Sequence, residues 1–145
     1  EKQYLKEITD LDEYVSELVR DGYTLVLIND RSAPGTEAFE AYADHLYSLG
    51  LDISCASSGD GLCFKISEDG DTTVLSDEID KQYTFTSAGK EHTLNAEGSG
   101  LVLDQNKILN ERAVGLTCLV FDSAGDLADA VLLYRPGQDD TIIHY

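Results

Sequence analysis

The chain has 145 residues, 42% of them hydrophobic, enough for one domain with an ordinary core. Its 28 acids against 10 bases leave a net charge of −18, which repels phosphate backbones and anionic headgroups and argues against nucleic acid or membrane surfaces as partners. No apolar run approaches the roughly 20 residues of a spanning helix, and the absence of methionine reads as a single domain, 1–145, excised from a longer protein.

Residues 9–20 open on Thr9 and Asp10, carry two acids in the first turn, and repeat Leu11, Val15, Leu18 and Val19 at helical spacing before Gly22. This predicts an amphipathic helix. Residues 23–28 (YTLVLI) are a continuous apolar run, as in a central strand, and residues 29–35 read as loop from their composition. A second helix is expected over 36–49, with Phe39, Tyr42, Ala43, Leu46 and Leu49 on one face and Gly50 as its cap.

Beyond Leu51 the period changes. Residues 62–66 alternate toward a turn at 68–71, and 72–75 return as a strand. Residues 83–86 alternate again and end at Ala88-Gly89, followed by short strands at 92–96, 100–104 and 107–109, with Gln105-Asn106 as a tight turn. The stretch 115–134, GLTCLVFDSAGDLADAVLLY, predicts an antiparallel pair, 116–122 with 127–133, in the middle of the sheet and covered on both faces. Residues 141–144 are a final strand. The order of elements predicts an α+β domain, a central mostly antiparallel or mixed β-sheet with two helices packed on it.

Chemical motifs are sparse. There is no GxSxG turn and no phosphate-loop lysine after Gly98-Ser99-Gly100. The run SEDGD at 67–71 has part of a calcium loop but lacks the distal glutamate, and reads as a hairpin turn. His45, His92 and His144 show no ligand spacing with cysteines or acids, so neither a metal nor a cofactor is implied. Cys55 and Cys63 bracket a loop that a disulfide would close, or are two reduced apolar residues; both readings stand. Acids are numerous enough for a glycosidase-type pair, but spacing does not reveal one.

Two segments carry a family resemblance. One is the strand TLVLIND with the helix closing on SLGL at 48–51; the other runs from TSAG at 86–89 through NERAVGL at 110–116 to LVFD at 119–122. Together they resemble the interleukin-like epithelial–mesenchymal-transition inducer family, in the circularly permuted form seen as extracytoplasmic domains of bacterial envelope proteins. The resemblance implies a non-catalytic accessory module at the cell surface, tethered through its parent chain, with a glycan, an envelope polysaccharide or a protein as partner. In sugar-binding relatives an acid follows the first strand, and here that place is Asp30. A family arginine falls at Val114, with Arg112 two residues earlier. The expected ligand-binding residues are therefore Asp30 and Arg112, with Tyr134 stacking on a sugar face. An extracytoplasmic location further implies that Cys55 and Cys63 pair and that Cys118 stays a buried thiol. The competing readings are a protein–protein interaction or signalling domain and an uncharacterised hydrolase.

Overall fold

The computed structural model describes residues 2–30, 36–57, 63–76, 82–137 and 140–145. Among them are four helices, α1 (Lys2–Glu7), α2 (Leu11–Asp21), α3 (Glu37–Ser48) and α4 (Ser54–Ser57). The strands are β1 (Thr24–Asp30), β2 (Cys63–Ile66), β3 (Thr72–Ser76), β4 (Gln82–Ser87), β5 (Lys90–Glu97), β6 (Gly100–Leu103), β7 (Asn106–Leu109), β8 (Gly115–Phe121), β9 (Leu127–Tyr134) and β10 (Ile143–His144).

The α+β class holds, and the strands divide into two sheets. A six-stranded sheet has the order β10-β9-β8-β1-β2-β3, and a four-stranded sheet the order β4-β5-β6-β7. Every pairing among the described strands is antiparallel. Helices cover one face of the larger sheet and the smaller sheet covers the other. Tyr14, Leu18, Phe39 and Leu46 pack with Leu25, Leu27 and Val120 on the helical side. Val26, Ile28, Leu119 and Phe121 pack with Tyr83, Phe85, Leu94 and Leu101 between the sheets. This is why β1 and β8 read as unbroken apolar runs: successive side chains point to opposite faces, and both faces are core. All seven residues of β8 are buried.

Local chemistry sets the ends. The Asp10 side chain caps α2 by accepting from Glu13 N–H at 2.9 Å, and Thr36 Oγ1 caps α3 by accepting from Phe39 N–H at 3.2 Å. At the other end of α3, Gly50 N–H donates to Tyr47 O and Leu51 N–H to Leu46 O, the paired bonds of a left-handed glycine stop. Strand β1 continues through Asn29 and Asp30, which composition assigns to loop, because they pair with Leu116 and Gly115. The turn between β6 and β7 is Asp104-Gln105, one residue earlier than expected, with φ of 51° and 71° as a two-residue hairpin requires. Helices α1 and α4 are too short to show periodicity, and α1 is held by Leu5, which is wholly buried.

The hairpin joining β8 to β9 also binds the two sheets together. Asp122 Oδ1 accepts from Ala124 N–H and Asp126 N–H, each at 3.0 Å, and folds the turn back on itself. Gly125, at φ 84°, then lies so close to the β4–β5 hairpin that a Cβ would fall 2.4 Å from Ser87 O. Only glycine permits this approach.

The expected Cys55–Cys63 bridge is not formed; Cys55, Cys63 and Cys118 all carry thiols. Strand geometry is the reason. Cys63 points into the core between the sheets, whereas Cys55 packs against the helical side. The large sheet separates the two side chains.

Candidate functional site

The three residues implied by the family resemblance lie at one end of the large sheet. Asp30 is opposite Gly115 in the β1–β8 register, and Leu116 is opposite Tyr134 in the β8–β9 register. Because the strands run antiparallel, the end of β1, the start of β8 and the end of β9 come together at the level of the backbone. The side chain of Asp30 lies outside the described part of the structure. Those of Arg112 and Tyr134 diverge to opposite faces of the sheet.

Arg112 is only 4% exposed. Its Nη1 donates to Gly100 O at 2.6 Å, its Nη2 to Gly98 O at 2.9 Å, and its backbone N–H to Ser99 O at 2.6 Å. A buried guanidinium needs such acceptors, and the Gly98-Ser99-Gly100 turn supplies them. Arg112 therefore clasps the β5–β6 turn to the segment entering β8 instead of facing a ligand. Tyr134 is roofed by α3: its ring meets Phe39 edge-on at 5.1 Å and Tyr42 at 4.6 Å, and the Tyr42 hydroxyl donates to Leu133 O beside it. It offers no open face to a sugar. Gly115, at φ 142°, keeps this end tight, since a Cβ there would fall 2.0 Å from Tyr134 O.

A second group of polar residues has no signature in the sequence. Asp129 Oδ2 accepts from the Tyr14 hydroxyl at 2.7 Å and lies 2.9 Å from His144 Nδ1, while Oδ1 accepts from Ala130 N–H at 2.9 Å. The other imidazole nitrogen of His144 lies 2.6 Å from Ile8 O. Burial first, then the Asp129 charge, pushes the Tyr14 phenol far upward, so it remains a donor. Asp129 and His144 themselves line a hollow of about 210 Å³, together with Lys6, Ile108, Leu127 and Tyr145. His92 repeats the pattern between the sheets, with Nδ1 2.6 Å from Asp104 Oδ2 and Nε2 2.7 Å from Gly125 O.

An aspartate–histidine pair is two-thirds of a hydrolytic triad, but the third member must carry a proton that the imidazole can take. In both pairs that place is held by a backbone carbonyl, Ile8 O for His144 and Gly125 O for His92. Each histidine is a brace: His144 ties the last strand to the α1–α2 junction, and His92 ties the small sheet to the β8–β9 turn. Asp129 and His144 are 15 residues apart in sequence and meet only because β10 pairs with β9, with His144 opposite Val131. The predicted strand at 141–144 was the only sequence signal that could have led to them.

Among the described residues no group of three His, Cys, Asp or Glu side chains is placed to hold a metal ion, and no helix is long and apolar enough to cross a membrane. Comparison with family models, with curated proteins and with solved structures found no match to this chain.

Proposed function

We propose that the chain is a non-catalytic binding module of an extracytoplasmic protein, one that engages a protein partner beside an envelope- or glycan-modifying domain elsewhere in its parent chain. The observation that carries the non-catalytic part is the bonding of His144 and His92. Each imidazole, His92 buried and His144 half-buried, has one nitrogen on a carboxylate and the other on a backbone carbonyl, which leaves neither nitrogen unengaged for a substrate. The burial of Arg112 and Tyr134 favours a protein over a sugar as partner. The extracytoplasmic placement rests on the family resemblance alone, because the separated cysteines lend it no support.

Incubating the purified chain at high concentration with chromogenic esters, glycosides and phosphate esters should give no turnover above buffer. Turnover that disappears in His144→Ala would overturn the reading in favour of a hydrolase. A glycan array should likewise stay blank. Binding there that is lost in Asp30→Ala would restore the sugar reading.

A further inference from the structure

Between the C-terminal ends of α2 and α3 and the β2–β3 turn lies a cleft of about 170 Å³. Its floor is apolar, made by Leu18, Leu25, Leu51 and Ile66, whose own surfaces are almost wholly buried. Val19, 41% exposed, forms one wall beside Gly50. The lip is kept low by glycine: a Cβ on Gly50 would stand 3.1 Å from Val19 Cγ1, and both Gly50 and Gly22 have left-handed φ values, 99° and 66°. The remaining rim is the turn carrying Glu68 and Asp69, both exposed. Arg20, at the end of α2, is engaged by Glu17 and Asp21 and is not held by this rim.

Size and charge together restrict what fits. Whole small-molecule ligands occupy pockets of roughly 300–1,000 Å³, whereas a cavity of about 150 Å³ holds a single benzene ring. The cleft therefore matches one large apolar side chain. An acidic rim on a chain of net charge −18 selects for a cationic neighbour to that side chain and speeds its approach. A central apolar anchor ringed by polar contacts is also the usual arrangement of an energetic centre in protein interfaces.

We propose that this cleft is the docking site for a basic segment of a partner protein, with one aromatic or branched aliphatic side chain inserted over Leu18, Leu51 and Ile66 and flanking Lys or Arg residues against Glu68 and Asp69. The proposal rests on the reading of the chain as a binding module and names the chemistry of its partner.

Amide NMR titration with three pentapeptides tests it: Lys-Lys-Phe-Lys-Lys, Lys-Lys-Ala-Lys-Lys and Glu-Glu-Phe-Glu-Glu. The first should shift residues 18–25, 49–51 and 66–70. The alanine peptide should bind roughly tenfold or more weakly, for loss of the buried ring. The acidic peptide should not bind. Charge reversal at the exposed rim, Glu68→Lys with Asp69→Lys, should weaken the first peptide roughly tenfold, as should raising salt from about 0.05 M to about 0.5 M. Equal binding of the phenylalanine and alanine peptides, or shifts mapping elsewhere, would overturn the cleft as the site. Phenethylamine shifting the same residues as strongly as the peptide would overturn the protein partner in favour of a small organic cation. No shifts with any probe, in a chain that remains inert as a catalyst, would overturn the cleft and leave the module reading intact. Catalytic turnover lost in His144→Ala would overturn the module reading itself.

Discussion

Truncating Phe121 to alanine removes the ring through which β8 grips the second sheet. Phe121 is fully buried, with its ring edge-on to Phe85 at 5.4 Å and tilted against His92 at 5.0 Å. Loss of the transfer term, roughly 1.5–3 kcal/mol for a side chain of this size, is compounded by the cavity left in a packed interior. The total for a buried phenylalanine is about 3–5 kcal/mol, of which the edge-to-face contact with Phe85 contributes about 0.5–1.5 kcal/mol. Against the roughly 5–15 kcal/mol that hold a domain together, this is a large fraction. Urea unfolding followed by far-UV circular dichroism should show a much lower midpoint at unchanged slope. The exposed Tyr47, with 68% of its surface in solvent, provides a control whose alanine variant should stay within about 0.5 kcal/mol of wild type. A double-mutant cycle with Phe85→Ala should recover a coupling of about 0.5–1.5 kcal/mol. A loss below about 1 kcal/mol for Phe121→Ala would refute its placement between the sheets.

Thiol titration of the denatured, unreduced protein should count three thiols; a count of one would mean that a disulfide forms after all. In the native state the thiols should react slowly, because burial pushes Cys55 up to about 11 and Cys63 up to about 12, and raises Cys118 as well. The pH dependence has a definite sign at Asp104. Burial raises its carboxyl, but the Thr93 N–H, the hydrogen bond and charge of His92 and the charge of Lys90 outweigh it and hold the group below its ordinary 3.8. Its contribution is therefore complete above that value and lost as pH falls through the lower, folded value. Acid titrations of stability should accordingly be shallower for Asp104→Asn than for wild type below about pH 4, and an identical slope would remove Asp104 from the account.

The residues of the expected site show where reading from sequence stopped. Arg112 was visible as a lone cation near the start of a strand, but nothing local indicates that three carbonyls of a glycine turn 12–14 residues earlier would surround it. Tyr134 ends a strand whose simple alternation places it on the face opposite Leu133. The register shifts between Leu116 and Thr117, and both side chains enter the helical core. Cys55 and Cys63 are near in sequence, yet the pleat at the start of β2 sends Cys63 through to the other side of the sheet.

What this sequence determines by itself is local. Helical spacing, capping residues and turn chemistry identify α2 and α3, and apolar runs or alternation identify the strands, including the β8–β9 pair, because each signal depends on neighbours a few residues away. The tertiary structure alone decides that the strands form two sheets, that β1 and β8 lie side by side with Asp30 opposite Gly115, and that His144 reaches Asp129. Those outcomes depend on which distant surfaces exclude water together and on which buried polar groups find partners, and both conditions are met only when the whole chain is folded.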